Sequence, residues 1–103
     1  MQFDVLTLFP EMFASMEQSI IGKALEKNLI NINLVNIRAF SENKHKKVDD
    51  TPYGGGAGMV MMPDVIYDAY KSIKEKGRVI YLSPQGEKLS QSKVKSLAKE
   101  EHL

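Results

Sequence analysis

At 103 residues, 43% of them hydrophobic, the chain is long enough for one domain with a modest core, because a domain of this size buries only roughly 60 to 65% of the surface its unfolded form exposes. The formal net charge is +1, and the absence of cysteine excludes disulfides, thiolate catalysis and cysteine-rich zinc sites. No run of about 18 apolar residues is present to span a bilayer, and the start Met1-Gln2-Phe3-Asp4 lacks the basic and long apolar stretches of a secretory signal, so the chain reads as soluble and cytoplasmic with no membrane partner.

Met1 to Phe9 is a short apolar run stopped by Pro10, with Phe3, Val5, Leu6, Leu8 and Phe9 on both faces, the pattern of a strand covered on both sides. Pro10 suits the first turn of a helix, Glu11 complements its amino-terminal dipole, and Met12, Phe13, Met16 and Ile20 are spaced for one α-helical face. Gly22 is expected to bend or interrupt that helix, and a second piece with Ala24 and Leu25 should end near Asn28. Ile32 to Arg38 is the second strand. The polar stretch from Ser41 to Gly58 has no period of either kind, and loops this long inside compact domains are usually functional or disordered.

Pro63 opens the next helix, where Val65, Ile66, Ala69, Tyr70 and Ile73 repeat at helical spacing until Gly77 supplies a left-handed stop. Arg78 to Ser83 reads as the third strand, broken by Pro84-Gln85-Gly86. Leu89 to Glu101 is an amphipathic helix with Val94, Leu97 and Ala98 on one side and lysines on the other. The alternation of strands and helices points to an α/β fold with a parallel sheet and flanking helices. Three strands leave apolar edges open, so either a partner chain or a further stretch of polypeptide finishes the sheet, and association through the exposed edges is expected.

Charge is unevenly spread. Residues 1–37 carry two lysines against four acids, whereas residues 71–103 carry eight basic residues against four acids. A basic third can meet a polyanion, or it can be an ordinary solvated helix face.

Three motifs could carry chemistry. Asp49-Asp50-Thr51-Pro52-Tyr53-Gly54-Gly55-Gly56-Ala57-Gly58-Met59 contains four glycines in five positions, able to wrap a flat or anionic group with backbone amides, or to serve as a mobile linker. It is neither a Walker loop nor the dinucleotide fingerprint. Tyr81-Leu82-Ser83-Pro84-Gln85-Gly86 follows a strand, where α/β proteins bind ligands; proline fixes one φ and glycine frees another, so exposed amides and carbonyls could meet an adenine edge. Lys44-His45-Lys46-Lys47 could hold phosphates, and Asp49 or Asp50 could act on a base edge or bind magnesium. His45 and His102 are too few and too far apart for a metal site of their own.

Taken together and in order, Leu8-Phe9-Pro10-Glu11-Met12-Phe13, the stretch from Val48 to Met62 and Val79 to Gly86 closely resemble the bacterial tRNA (guanine-N1)-methyltransferases. The resemblance covers the chain from end to end and implies the amino-terminal part of a SPOUT trefoil-knot domain, with the knot itself incomplete in these residues. It implies a homodimeric enzyme that transfers a methyl group from S-adenosylmethionine to N1 of the guanine immediately 3′ of the anticodon in tRNA, with magnesium implicated. By position, Tyr81, Leu82, Ser83, Pro84, Gln85 and Gly86 match the first cofactor loop. Gly54, Gly55, Gly56 and Gly58 match the loop near the methionine end and the entering guanine. Lys44, His45, Lys46, Lys47, Asp49 and Asp50 fall where tRNA contact is expected.

Ala57 stands where the family commonly has proline, which should loosen the loop more than change its chemistry. The resemblance places the remaining cofactor loops, the proposed general base, the knot-closing segment and a helical tRNA-binding domain after Leu103. The 103 residues are therefore expected to be inactive alone. Two other readings remain: a non-catalytic RNA-binding or dimerisation module using the basic third, and a phosphate-binding α/β protein using the glycine loop.

Overall fold

The structure, a computed structural model, describes residues 1–41, 49–50 and 60–103. Strand β1 (Gln2–Thr7) pairs in parallel with β2 (Asn31–Asn36), with Leu6 opposite Val35 and Val5 opposite Leu34. A 3₁₀ helix (Pro10–Gln18) and helix α1 (Ile20–Glu26) form the crossover between them. A short 3₁₀ turn (Ile37–Phe40) follows β2. The two-residue strands β3 (Asp49–Asp50) and β4 (Val60–Met61) pair antiparallel, and helices α2 (Pro63–Lys71) and α3 (Gln91–Leu97) complete the order.

The first helical segment departs from the expected α period. Within Pro10–Gln18 only Pro10, Phe13 and Met16 are half-buried, a spacing of three that suits three residues per turn, whereas Met12 stays 71% exposed. Ile20, expected on the same face, is 84% exposed. The break comes at Ser19, not at Gly22: Ser19 is extended, and its hydroxyl accepts the Ile21 N–H at 3.2 Å to start α1. Gly22 lies inside α1, buried, where a Cβ would stand 2.2 Å from the Glu17 carbonyl oxygen. Asn28 turns the chain out of α1 with φ 58°, a left-handed conformation that asparagine tolerates.

Helix α2 starts on Pro63 with Asp64 in its first turn and ends at Lys71, before the expected limit. Gly77 is not left-handed and is not its cap. It packs against the chain's last residues, and a Cβ there would lie 2.3 Å from the His102 carbonyl oxygen. Val65, Ala69 and Ile73, four residues apart, form the buried centre with Val35 and Ile37, flanked by Leu6, Leu8, Phe40, Met61, Met62 and Tyr70. Helix α2 covers this face of the sheet. On the other face Phe13, Met16 and Leu25 lie beside Ile32 and Leu34 around a shallow hollow, so β1 and β2 are sandwiched as their two-faced apolar pattern requires.

The third strand differs from expectation. Arg78 to Ser83 is not a strand; among the described residues it makes one bond to a neighbouring segment, from the Arg78 N–H to the His102 carbonyl at 3.1 Å. Glu101, expected to end the last helix, lies with His102 and Leu103 parallel along the outer edge of β1 instead. Gln2 N–H donates to the Glu101 carbonyl at 2.8 Å, Leu103 N–H to Gln2 at 2.9 Å and Asp4 N–H to Leu103 at 2.9 Å. The spatial order is β2, β1, residues 101–103, then Arg78. Among the described residues Val79 to Leu82 make no ladder bond, and Val79, Tyr81 and Leu82 stay exposed. Helix α3 is shorter than expected; Ser90 caps it by accepting the Lys93 N–H at 3.2 Å. No helix among the described residues is long and apolar enough to cross a membrane.

Candidate functional site

Arg78 lies beside His102, on the side of residues 101–103 away from β1, and the chain runs on from it into a turn at Ser83 to Gly86. The turn there is closed by its own residues. Gly86 N–H donates to the Ser83 carbonyl at 3.1 Å, with Pro84 at the first central position where a φ near −65° is needed. The Ser83 hydroxyl accepts the Gln85 N–H at 3.2 Å. The amides of Gln85 and Gly86 are therefore committed within the turn rather than offered outward. Nor is Gly86 in the left-handed region, and a Cβ there would meet Ser83 O at an ordinary 3.4 Å, so the expected freedom of φ is not what the turn uses.

The available backbone lies one step earlier. Tyr81 and Leu82 make no main-chain hydrogen bond among the described residues, and both side chains are largely exposed. They border an open hollow of about 640 Å³ whose wall also includes Ser83, Pro84 and Gly86; Gln85 is not part of it. Residues not expected from the sequence complete the hollow: Arg78, Glu87, Leu89, Lys93 and Leu97. Lys93 and Leu97 stand four apart on α3 and both line the hollow, although the amphipathic pattern sets the lysines opposite Leu97. Glu87 accepts a hydrogen bond from the Lys93 ammonium at 3.0 Å, and that bond together with the positive charge of Lys93 holds the Glu87 carboxyl below the ordinary carboxylate range.

The other expected site residues are not brought into this geometry. Lys44, His45, Lys46, Lys47, Gly54, Gly55, Gly56 and Gly58 lie outside the described residues, as do the side chains of Asp49 and Asp50. The backbone of the two aspartates is placed: Asp49 pairs with Met61 and Asp50 with Val60, so the glycine run is flanked by a short hairpin whose Met61 packs against the core. Among the described residues no group of three or more histidine or carboxylate side chains is gathered for a metal ion.

Residues 1–103 match the family model described as tRNA (Guanine-1)-methyltransferase TrmD. Along its whole length the chain is 59% identical to the tRNA (guanine-N(1)-)-methyltransferase of Clostridium botulinum, 44% of which it covers. It is 58% identical to that of Clostridium tetani over 99% of its length, again covering 44% of the relative. It is also similar to the crystal structure of tRNA (m1G37) methyltransferase from Aquifex aeolicus, with a TM-score of 0.89 and 36% identity, over 100% of this chain and 48% of that one. The chain thus spans under half the length of these relatives, and over all 103 residues it belongs to the tRNA (guanine-1)-methyltransferase family.

Proposed function

We propose that Tyr81 to Gly86 form the wall that receives the adenosyl part of S-adenosylmethionine, in an enzyme that methylates N1 of the guanine immediately 3′ of the anticodon in tRNA. The observation that carries this reading is the backbone of Tyr81 and Leu82, which makes no main-chain hydrogen bond among the described residues and borders an open hollow. An adenine ring presents a flat apolar face and a polar edge; Tyr81, Leu82 and Leu89 suit the face, and the free amide and carbonyl groups suit the edge. S-adenosylmethionine supplies the electrophilic methyl group when bound.

Under the same reading Gly54, Gly55, Gly56 and Gly58 border the methionine end of the cofactor. Lys44, His45, Lys46 and Lys47 meet tRNA phosphates, and Asp49 and Asp50 act at the guanine edge or on a magnesium ion. The working unit is a cytoplasmic homodimer with a SPOUT knot.

Methyl transfer to N1 requires a group that takes the N1 proton. Glu87 is the one carboxylate in the wall of the hollow, and its bond to Lys93 makes it a weak base. Among the described residues the hollow supplies binding surface without an identified proton acceptor, and the 103 residues alone are expected to be inactive.

Calorimetry with S-adenosylhomocysteine, with ATP as a comparison, and a methylation assay on unmodified tRNA test the two halves separately. Binding of ATP but not S-adenosylhomocysteine would favour a phosphate-binding protein instead. Salt-sensitive tRNA binding with no cofactor affinity would favour an RNA-binding module. Turnover by the chain alone would overturn the assignment of Glu87 as inert.

A further inference from the structure

We infer that Asp4 is a positioning residue, whose carboxylate locks the register of three parallel segments and, through His102, fixes the start of the segment that carries the Tyr81–Gly86 wall. That wall's role rests on the function proposed above; the lock does not.

Asp4 sits on β1, the middle segment, and its side chain is only 8% exposed. Three side chains converge on it. Asn33, its register partner on β2, donates from Nδ2 at 2.9 Å. Gln2, two residues earlier on the same face of β1, donates from Nε2 at 3.3 Å. From the opposite edge His102 Nε2 bonds the other carboxylate oxygen. His102 is the ionisable partner; Asn33 and Gln2 are neutral, Arg78 and Glu100 pair with each other at 3.2 Å, and α2 turns Val65, Ala69 and Ile73 toward the core.

Residues 101–103 make three backbone bonds to β1, and such bonds do not by themselves choose between neighbouring registers, because backbone groups are alike at every step. The side chain supplies the choice. His102 lies opposite Gln2, and a slip of one residue in either direction would carry it to the other face and put Glu101 or Leu103 in the place from which it reaches Asp4, one a like charge and the other unable to donate from its side chain. With His102 fixed, its carbonyl is fixed too, and that carbonyl takes the Arg78 N–H. Gly77 lies so close to the same carbonyl that no Cβ fits between them. The lock on one side of the 101–103 segment thus sets the position of Arg78 on the other.

The test uses the full chain with Asp4→Asn and His102→Gln, singly and together, read by amide exchange at Arg78 and Leu103 and by calorimetry with S-adenosylhomocysteine. Asp4→Asn keeps an oxygen for Asn33 but removes the charge facing His102. Protection of the Arg78 and Leu103 amides should fall by about tenfold or more, as for loss of a charge-assisted bond, while Val35 and Ile66 keep theirs. In the unmodified chain that protection should weaken at acid pH as the carboxylate is neutralised, and Asp4→Asn should remove this dependence. The double variant should lose no more than the larger single effect. His102→Gln leaves β1 untouched and keeps the test open should Asp4→Asn unfold the chain. Unchanged Arg78 and Leu103 protection with an unchanged pH profile in both variants would overturn the lock. If S-adenosylhomocysteine fails to bind even the unmodified chain, the cofactor reading falls while the exchange result still decides the role of Asp4.

Discussion

Replacing Gly22 with alanine sets two effects of known size against each other. In the middle of an ordinary helix the change stabilises by about 1 kcal/mol, because glycine has more backbone freedom to lose on folding. Here the new Cβ would stand 2.2 Å from the oxygen and 2.6 Å from the carbon of the Glu17 carbonyl. Both atoms belong to the backbone, so no side chain can swing aside; the 3₁₀ helix must move off α1 by about 1 Å or more, and overpacking of this kind costs about 1 to 3 kcal/mol. The clash should win, leaving Gly22→Ala less stable by up to about 2 kcal/mol. For a chain of this size that lowers the urea midpoint by about 1 M, read by circular dichroism with an unchanged slope. A peptide spanning α1 alone should gain helicity from the same change, which separates propensity from packing. A full-length variant as stable as the parent, or more so, would show that the Pro10–Gln18 segment does not stack on α1 at Gly22.

Val65→Ala, at a position 3% exposed in the centre of the core, should cost about 2 kcal/mol by urea titration, whereas Tyr67→Ala, 60% exposed on the outer side of α2, should stay within about 0.5 kcal/mol. Burial pushes the Asp4 carboxyl up, but hydrogen bonds from Asn33, His102 and Gln2 outweigh it and hold the group below its ordinary value. Its contribution to stability is therefore complete above the ordinary carboxylate value and is lost as pH falls through the lowered one; an acid titration of Asp4→Asn should lack that loss. Ser83→Ala removes the acceptor for the Gln85 N–H and should weaken S-adenosylhomocysteine binding by about fivefold, the worth of one neutral hydrogen bond that shapes the turn, with little change in the urea midpoint.

Periodicity made the sandwiched strands and α2 legible, because a two-sided apolar run and a four-residue repeat each leave one packing solution. It misjudged Pro10–Gln18, since Phe13 and Met16 are three apart and fit both a 3.6-residue and a three-residue turn; only the exposure of Met12 and Ile20 separates the two. Glycine was misread twice for one reason. In the local pattern Gly22 and Gly77 read as breaks, but each is a place where another backbone passes too close for a Cβ, a long-range fact invisible there. The edge segment 101–103 carries too few residues for any period. The Pro84 turn was legible from its residue types, yet its free polar groups sit at Tyr81 and Leu82 because Ser83 consumes the amides that follow.

The placement of the Tyr81–Gly86 wall follows from how little holds the segment behind it. Among the described residues the backbone makes no ladder bond along Val79 to Leu82. It is fastened only at its ends. At one end are the Arg78 N–H to His102 and the Arg78–Glu100 pair; at the other are the Ser83 turn and, just beyond it, the Glu87–Lys93 bridge to α3. The two ion pairs are exposed and worth little, so the backbone bond to His102 and the hydrogen bonds of the turn carry most of the restraint. A ligand that pairs with Tyr81 and Leu82 must therefore order several residues as it binds, at about 1 kcal/mol or more of conformational entropy for each. Under the proposed function, whatever keeps His102 in register would offset part of that cost in advance, and a carboxylate on β1 would thereby act on affinity at the Tyr81–Gly86 wall.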